Sequence, residues 1–538
     1  MFSPLLALTA SLASVGRVFA TIAVAIVSGW LLAYLSTRSR VFENIFIPAI
    51  EILESVPVIT FFPVALIFFI ENLGGYAGVE AAALFLVFTA TAWNIWLGIY
   101  QAFKTVPGNM VEAMDNYMLS FSQRMARLYI PYSIPRISSE LIPSFTNGLF
   151  YITVSEVFSI GSTDYRVFGI GSLIYDLSSS GHYIEALYSL ALLAMIVSLI
   201  VIGLRRFSEY AIEKYGLETE SRIHYARRGV IRGAGLSRLS RAVTPIARIS
   251  RYVARGGIHL PSIENRARLS AIWKISKYVM VIATFSILIY IAVIKIEGIE
   301  PSLWEYLFSR IDRDLASIAI DYARIAIISL AALTMAIFLG YYVATKPGME
   351  RIFIPASQVI AAIPAPAYFP LLYGITHRYI EILLGPLSSE FYVLLLGFIS
   401  TYYYIFYTYW LGVKNMPAQF WDIMDNLSLG FWDRLRMVLL PSTFPYIVAG
   451  MTATINGAWG GLAIGEHWPN IYDGRSLEVS QGLMRELALA SDRGDLVLLT
   501  WLSLLFSISV AIYAILITRR LMDLAGKRYI AEEAVFAA

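Results

Sequence analysis

The sequence predicts an all-α polytopic membrane protein built from two parallel five-helix repeats. Hydrophobic residues make up 58% of the 538 residues, long apolar runs recur along the chain, and one polar segment occurs twice. Charged residues make up only 15%, whereas a soluble globular protein has about 25%. Apolar runs of about 20 residues span a bilayer as helices, because a spanning backbone must satisfy its own hydrogen bonds. The roughly ten-residue alternating strands of a membrane barrel are not evident in the sequence.

Hydropathy predicts about eleven transmembrane helices, five in the first half and six in the second. The first apolar run is too long for the core of a signal peptide, and no basic region precedes it, so we expect it to be a spanning helix of the mature chain. The predicted spans are 8–35, 45–70, 79–103, 137–159, 184–204, 275–295, 318–345, 352–374, 383–413, 445–466 and 495–518.

The duplication is clearest in the polar segments 107–135 and 417–445, which align without a gap at an offset of 310 positions. Both segments are polar and charged, yet each lies between long apolar runs. The repeat extends on both sides, and we interpret the halves as two copies of one five-helix unit. Matching pairs are Pro57 and Pro364, Pro107 and Pro417, Asp115 and Asp425, Asn116 and Asn426, Phe121 and Phe431, Arg124 and Arg434, Pro131 and Pro441, and Glu156 and Glu466.

Basic residues predict the orientation of the chain. The stretch 205–273 contains fourteen Lys or Arg residues against five Glu residues, and such a bias marks a cytoplasmic loop. Alternating the spans from there predicts that both polar segments and the C-terminus are cytoplasmic and the N-terminus is outside. Linker residues 236–253, rich in arginine, could lie on anionic membrane lipid, or the linker could simply be solvated.

The helix at 275–295 has no counterpart in the first half. A five-helix unit that begins outside the cell ends inside, so the chain must cross the membrane once more before a second copy can take the same orientation. An additional helix without a topological role would not explain why the number of crossings between the repeats is odd. We therefore predict parallel repeats related by an axis along the membrane normal. The predicted domains are a first repeat at 1–205, a basic cytoplasmic linker at 206–273, the extra helix at 274–296, a second repeat at 297–520 and a cytoplasmic tail at 521–538.

Within each polar segment an acidic residue precedes a proline by nineteen positions, Glu112 to Pro131 and Asp422 to Pro441. Ala-Met follows the first acid, Ile-Met follows the second, and Ile or Leu precedes the prolines. In these residues the chain resembles the inner-membrane permease subunits of ATP-binding-cassette importers. Their signature is Glu-Ala-Ala, a Gly a few residues on, and an aliphatic stretch that ends in Leu-Pro.

The resemblance covers about residues 5–205 and 315–520. Within the family the chain looks closest to the nitrate, sulfonate and taurine branch, in which a span ending near a Glu follows the Leu-Pro. The chain departs from the family at one position, because Met118 and Ser428 replace the Gly of the signature. The sequence therefore does not decide the conformation of the local turn, while the spacing of the acidic residue and the proline fits the family signature.

The resemblance implies that each polar segment forms a short cytoplasmic coupling helix that docks into a groove of an ATPase subunit. A helix N-terminus favours an acid, apolar residues at helical spacing can fill a groove, and Pro131 and Pro441 are expected to break the chain before the next span. An ordinary amphipathic loop is the alternative, but two copies in register favour docking. The candidate ATPase contacts are Glu112, Ala113, Asp115, Asn116, Phe121, Asp422, Asp425, Asn426 and Phe431.

Four further residues are candidates for the translocation path. Carboxylates near a span usually face a cavity or a partner, so Glu156 and Glu466 could line the path or could instead cap helices at the outer interface. Unpaired carboxylates in the path would repel an anion. Pro57 and Pro364 lie inside matched spans and predict kinks that act as hinges or only fit the packing.

The sequence also excludes some chemistry. The chain has no cysteine, its five histidines show no ligand spacing, and it lacks a P-loop, so we predict no metal and no ATP on this chain. Its modest net charge of +3 gives no reason to expect a nucleic-acid partner.

The resemblance implies the transmembrane pore of an ATP-driven, binding-protein-dependent importer for a small solute, with both permease halves on one chain. It implies two separate ATPase subunits, which hold ATP and Mg, and an extracellular solute-binding protein, so the chain itself is not expected to be an enzyme. The expected location is the plasma membrane of a prokaryote. The alternative is a duplicated secondary transporter with Glu156 and Glu466 as a proton or cation relay, which leaves the polar segments without a role. A channel is a weaker third option.

Overall fold

The computed structural model describes residues 3–43, 46, 47, 50, 62–160, 163–215, 300–518, 520, 521 and 524. Within these ranges nearly all regular structure is helical, and the strands form two short hairpins. The described helices include seven stretches long and apolar enough to cross a membrane. These observations confirm the predicted all-α polytopic class.

The first half of the chain contains eight described helices and one hairpin. The elements are α1 (Pro4–Arg38), α2 (Phe62–Leu73), α3 (Gly75–Lys104), α4 (Gly108–Asn116), α5 (Phe121–Arg124), a π-helical turn (Met125–Tyr129), α6 (Ile130–Ser155), β1 (Val157–Ile160), β2 (Thr163–Arg166), α7 (Ile170–Ser179) and α8 (Tyr183–Tyr215).

The second half repeats this order after α9 (Pro301–Ser309). The elements are α10 (Ile311–Thr345), α11 (Pro347–Ala362), α12 (Ala365–Leu384), a 3-10 turn (Gly385–Leu387), α13 (Ser388–Lys414), α14 (Ala418–Asn426), α15 (Phe431–Asp433), a π-helical turn (Arg434–Leu439), α16 (Leu440–Gly465), β3 (His467–Tyr472), β4 (Arg475–Glu478), α17 (Leu483–Asp492) and α18 (Leu496–Tyr513), followed by a π-helical turn (Ala514–Thr518).

The predicted number of eleven spans stays a prediction. One of the seven spanning stretches, Ala365–Lys414, combines α12 and α13. Helix α6 is not among the seven, because it carries Arg, Glu, Asn and two internal prolines. The extra helix at 274–296 and Pro57 lie outside the described residues, so the parity argument and the linker boundaries also stay predictions.

The sequence predicts a kink at Pro364 inside a continuous helix, but the structure has a break between two helices there. Helix α11 ends at Ala362, Ile363 is extended (φ −77°, ψ 119°), and α12 begins at Ala365. A residue before proline is disfavoured in the α region, and Pro364 is followed two residues later by Pro366. The predicted span 352–374 is therefore two helices with a break between them.

Pro131 and Pro441 do not break the chain either, which corrects the expectation for both segments. Each proline is the second residue of a long helix, α6 or α16, and a π-helical turn precedes it. Ile130 and Leu440 keep right-handed helical angles. A proline ring clashes with the carbonyl four residues earlier, and the wider π turn lets the backbone pass this clash without leaving the helix.

Close helix packing defines the core of the second repeat. A methyl group added at Gly461 of α16 would lie 2.7 Å from the Cα atom of Gly397 on α13, so the two backbones approach as closely as small residues allow in membrane helices. Nearby, Ile405, Phe406 and Tyr409 of α13 are fully buried. In the first repeat, α1 packs closely against α3.

Backbone contacts divide the chain into two compact units. One comprises 1–105, 133–216 and 315–538, and the other comprises 106–132 and 217–314. The second polar segment therefore belongs to the same unit as the long helices of both repeats, and residues 107–132 of the first polar segment belong to the other unit. Each is described separately below.

Candidate functional site: two polar segments and two buried ion-pair clusters

The first polar segment folds into a short helix followed by a tight turn. Helix α4 begins after Pro107 and contains no buried residue. Glu112, Asp115 and Asn116 are exposed, and Ala113 is half-buried. After α4 the chain turns at Met118, whose side chain is 89% exposed. A short helix is therefore present where the sequence predicted one, with nine residues, and its coupling role stays a prediction.

Both segments make a left-handed turn at the position where the family signature has glycine. Met118 has φ 49° and Ser428 has φ 48°. The N–H of Leu119 donates to the carbonyl of Met114, and Leu429 donates to Met424 in the same way, which closes each helix C-terminus. Left-handed angles cost a non-glycine residue about 1–2 kcal/mol. The turn that the sequence left open thus forms in both copies.

An arginine fastens each short helix to the residues that follow its turn. Arg124 donates from Nε to the Leu119 carbonyl (2.7 Å) and pairs with Asp115. Arg434 donates from Nε to the Leu429 carbonyl (2.8 Å), and its Nη2 lies 2.9 Å from Asp425 Oδ1. Asp115 and Asp425 therefore maintain the shape of their own segments, whatever else they contact.

The second polar segment packs on the helices of its own repeat. Met424 of α14 is fully buried beside Leu435 and Leu439. Phe431 lies against Phe338 and Tyr341 of α10, with ring centroids 6.1 and 5.5 Å apart. The opposite side of this segment is exposed, with Asp422, Asp425, Asn426 and Leu427 at the surface. Contact of any of these candidate residues with an ATPase stays a prediction.

Glu156 lies at the end of α6 in a buried ion-pair cluster. Arg17 of α1 donates to Glu80 of α3 from Nε (2.5 Å) and Nη2 (2.9 Å). Its Nη1 lies 3.5 Å from Glu156 Oε1 and donates to the carbonyl of Phe168 (2.8 Å). Glu156 is fully buried, whereas the Glu80 side chain is 25% exposed.

Glu466, at the end of α16, lies in a second cluster of the same design. Arg324 of α10 donates to Glu390 of α13 from Nε (2.8 Å) and Nη2 (2.6 Å). Its Nη1 donates to Glu466 Oε1 (2.9 Å), and its Nη2 donates to the carbonyl of Gln481 (2.8 Å). The Arg324 side chain is 5% exposed and that of Glu466 is fully buried.

The two clusters differ at one position. Ser14 of α1 donates to Glu156 Oε1 (2.5 Å) and accepts from the N–H of Ile170 (2.9 Å). Asp321 of α10 occupies the matching place, where it accepts from the N–H groups of Leu483 (3.0 Å) and Met484 (3.3 Å). The second cluster therefore has three carboxylates for one guanidinium, and the first has two.

Each cluster anchors the segment that follows the long helix. Glu156 Oε2 accepts from the N–H of Gly171 (2.7 Å), and Glu466 Oε2 accepts from the N–H of Arg485 (3.0 Å). A methyl group added at Gly169 or Gly482 would overlap the carboxylate in its own cluster. In the first repeat, the cluster thus joins α1 and α3 to the hairpin and the short helix α7. In the second repeat, it joins α10 and α13 to the hairpin and the short helix α17.

The anchored hairpins and short helices enclose a cavity of about 210 Å³, here called the hairpin cavity. Both repeats contribute to its wall, which includes Arg166, Tyr175, His467, Trp468 and Asp492. Neither Glu156 nor Glu466 lines it. A second cavity of about 200 Å³, here called the hydroxyl cavity, lies against the break between α11 and α12, and Pro364 lines it.

The predicted path residues therefore have different surroundings. Glu156 and Glu466 are buried in ion pairs, Pro364 borders the hydroxyl cavity, and Pro57 lies outside the described residues. Their place in a translocation path stays a prediction. Within the described part of the chain, no group of three or more His, Asp or Glu side chains is arranged to hold a metal ion.

The arginines of these clusters and their second carboxylates were not singled out from the sequence. The signal was available, because Arg17 and Arg324 are 307 positions apart, the same offset as Pro57 and Pro364. Glu80 and Glu390 are likewise 310 positions apart. The β3–β4 hairpin was also missed, although Asp473-Gly474, both with positive φ, form the kind of two-residue turn that joins hairpin strands.

Comparison with known proteins agrees with the duplicated architecture. The profile of the binding-protein-dependent transport system inner membrane component family matches the chain twice, at residues 25–213 and 332–530. The chain belongs to this family. Because the profile matches each half, the chain is a fused double permease, as the sequence predicted, and it resides in the cell membrane as an integral protein.

Three curated relatives share lower identity. The nitrate import permease protein NrtB of Leptolyngbya laminosa is 27% identical over 184 residues, which cover 32% of this chain and 60% of the relative. NrtB of Synechococcus elongatus is 25% identical over 142 residues, covering 26% and 47%. The bicarbonate transport system permease protein CmpB of Synechocystis is 23% identical over 175 residues, covering 32% and 58%. The chain thus spans about half to three fifths of the length of these relatives. No solved structure matches it significantly.

Proposed function

We propose that this chain is the translocation subunit of an ATP-driven importer and that separate ATPase subunits, holding ATP and Mg, dock on segments 107–135 and 417–445. The observation that carries this proposal is the preserved geometry of the two segments. Each has a nine-residue helix, a left-handed turn and an Asp–Arg pair in matching places. A segment kept so similar in both repeats suits two equivalent sockets, as in a dimer of ATPase subunits.

The exposed surface of each segment is suited to docking. Apolar side chains project at the turn, Tyr117 and Met118 in the first copy and Leu427 in the second, beside the exposed acids Glu112 and Asp422. Exposed apolar side chains bordered by charge are typical of protein contacts. In the second copy, Met424 and Phe431 connect this surface to α10 and α13, so a displacement of the segment would reach the spanning helices directly.

We further propose that the solute is a small oxyanion delivered by a solute-binding protein. Relatives named for nitrate and bicarbonate support this class. The sequence raised the objection that two carboxylates in the path would repel an anion. In the structure both carboxylates are paired with arginines and neither lines the described cavities, which removes the objection.

Reconstitution tests the proposal. The chain, co-purified with its ATPase subunits, is placed in proteoliposomes with its binding protein, and uptake of labelled nitrate or bicarbonate is measured with and without ATP. The proposal expects uptake that requires ATP hydrolysis and persists when ion gradients are collapsed by ionophores. Uptake that needs no ATP but requires a proton or sodium gradient would instead support a secondary transporter.

A further inference from the structure

The hydroxyl cavity lies between the two repeats, at the middle of the long helices. Its wall is formed by α6 of the first repeat and by α11, α12 and α13 of the second. A water molecule occupies about 30 Å³ in the liquid, so a volume of about 200 Å³ has room for a small solute with a few waters. Neighbouring Tyr404 of α13 donates to Asn147 Oδ1 of α6 (2.5 Å), which holds the two repeats together beside it.

Hydroxyl groups give this cavity its polarity. Among the described residues of its wall, none has a charged side chain. Polar groups at this depth of a membrane protein are costly unless they face a cavity or a partner. Ser400 borders the cavity and is 8% exposed, and its buried Oγ has no hydrogen-bond partner among the described residues, so this hydroxyl has a hydrogen bond still to make. The hydroxyl-bearing residues of the wall are Thr146, Tyr368, Ser400, Tyr402 and Tyr403.

A helix N-terminus adds a positive end to the same wall. Helix α12 is 20 residues long and begins at Ala365, beside Pro364, with no side chain capping it. Both residues line the cavity. Pro366 has no N–H and the N–H of Ala367 donates to the Pro364 carbonyl (3.0 Å), so this end offers an anion the Ala365 N–H and the positive end of the helix dipole. The unpaired Ser400 hydroxyl is a second, independent feature of the same cavity that calls for a ligand.

The duplication shows that the fold does not require these hydroxyls. At the same offsets that align the two copies, Tyr368 corresponds to Phe61, Ser400 to Ala90, Tyr402 to Ala92 and Tyr403 to Trp93. The first repeat thus carries no hydroxyl at any of these positions. The second repeat therefore differs from the first by four hydroxyl groups, which border one cavity next to a helix end.

We propose that the hydroxyl cavity is a transient binding site for a small monovalent oxyanion during its passage, which rests on the proposed importer function. The hydroxyls donate hydrogen bonds to the oxyanion, and the α12 N-terminus supplies partial positive charge. Conduction requires binding that is favourable enough for entry and weak enough for release. Neutral donors without a fixed cation meet this condition, because a buried guanidinium would hold an anion too firmly.

The first experiment removes the hydroxyls from the full transporter in proteoliposomes. The triple variant Ser400→Ala, Tyr402→Phe and Tyr403→Phe is compared with Tyr407→Phe, whose hydroxyl is paired with Ser357 (2.9 Å) and does not line the cavity. The probe is nitrate, or bicarbonate if nitrate is not taken up. Since each hydrogen bond lost weakens binding about fivefold, removing three hydroxyls should raise the KM for uptake roughly 100-fold. ATPase stimulation by the binding protein and the Tyr407→Phe variant should stay at wild-type levels.

The second experiment tests the sign of the solute's charge. Ser400→Asp and Ser400→Asn have similar size, and only the first places a carboxylate in the cavity. Stronger loss of nitrate uptake in Ser400→Asp supports an anion site, and equal uptake by the two variants overturns it.

The outcomes separate this proposal from the importer function. An unchanged KM in the triple variant overturns the cavity site and leaves ATP-driven import standing. A wild-type transporter without ATP-dependent uptake overturns both. ATP-driven uptake of a solute other than an oxyanion overturns both the oxyanion site and the proposed solute class, and leaves ATP-driven import standing.

Discussion

The cluster around Arg324 offers the sharpest test of the structural account. Replacing Arg324 with Met preserves most of the side-chain volume but removes five donated hydrogen bonds, to Glu390, Glu466, Asp321 and the Gln481 carbonyl. Asp321 and Glu466 are fully buried and would remain without a counter-charge.

The expected loss follows from what the substitution leaves behind. Breaking a buried ion pair by removing one partner costs about 3–5 kcal/mol, because an uncompensated charge stays buried. The sum of five separate charged bonds would overestimate this loss, since neighbours and water relax. The matched change, Arg17→Met, leaves only Glu156 fully buried, while the Glu80 side chain is 25% exposed. We therefore expect Arg324→Met to destabilise the protein more than Arg17→Met.

The assay is thermal unfolding of the purified protein in detergent, followed by tryptophan fluorescence. Arg324→Met should lower the midpoint by roughly 5–10 °C, at about 2 °C per kcal/mol for a chain of this size. Adding Asp321→Asn and Glu466→Gln to Arg324→Met should restore more than half of the loss, because the buried charges are then gone. An Arg324→Met variant as stable as the wild type, or a triple variant that is less stable than Arg324→Met, would refute the reasoning.

Further substitutions test three other parts of the structure. Replacing Met118 and Ser428 by Gly should raise the unfolding free energy by about 1 kcal/mol for each turn, since both residues have left-handed angles; lower stability in denaturant titration would contradict the turn geometry. Gly482→Ala should destabilise the protein by about 1–3 kcal/mol, because the new methyl group overlaps Glu466. The control Gly203→Ala, where no described atom lies within 4 Å, should be neutral or stabilising. Equal effects of the two changes would argue against the packing around Gly482. Tyr404→Phe removes the bond to Asn147 between the repeats and should lower stability by about 1 kcal/mol, whereas Tyr379→Phe, at a tyrosine that is 73% exposed, should leave the melting midpoint unchanged. Equal midpoints for the two variants would contradict this contact.

Local and periodic features of the fold could be predicted from the sequence. Apolar runs located α1, α3, α8, α10 and α18, because a spanning helix needs only length and hydrophobicity. Alignment of the two halves located both short helices, since each copy supports the interpretation of the other. The break at Pro364 was predicted as a kink, because hydropathy cannot distinguish a bent helix from two helices that share one apolar run.

The partners of the buried carboxylates could not be predicted in the same way. Glu156 and Glu466 were recognised as costly residues that need a partner, yet Arg17 and Arg324 are 139 and 142 positions away in sequence. Such pairing depends on which helices pack together, and no local pattern encodes that. The left-handed turns at Met118 and Ser428 also depend on surrounding bonds, because neither residue favours this conformation by itself.

The central claim is that the exposed faces of the two polar segments couple ATP hydrolysis to transport. The most direct test measures binding-protein-stimulated ATP hydrolysis and solute uptake together in proteoliposomes, for the paired variant Glu112→Lys and Asp422→Lys. Glu213→Lys, an exposed charge reversal at the end of α8 on the predicted cytoplasmic side, is the control. The account predicts a loss of binding-protein-stimulated ATPase activity and of uptake in the paired variant, with the control unchanged and the melting midpoints equal. Wild-type stimulation and uptake in the paired variant would contradict it.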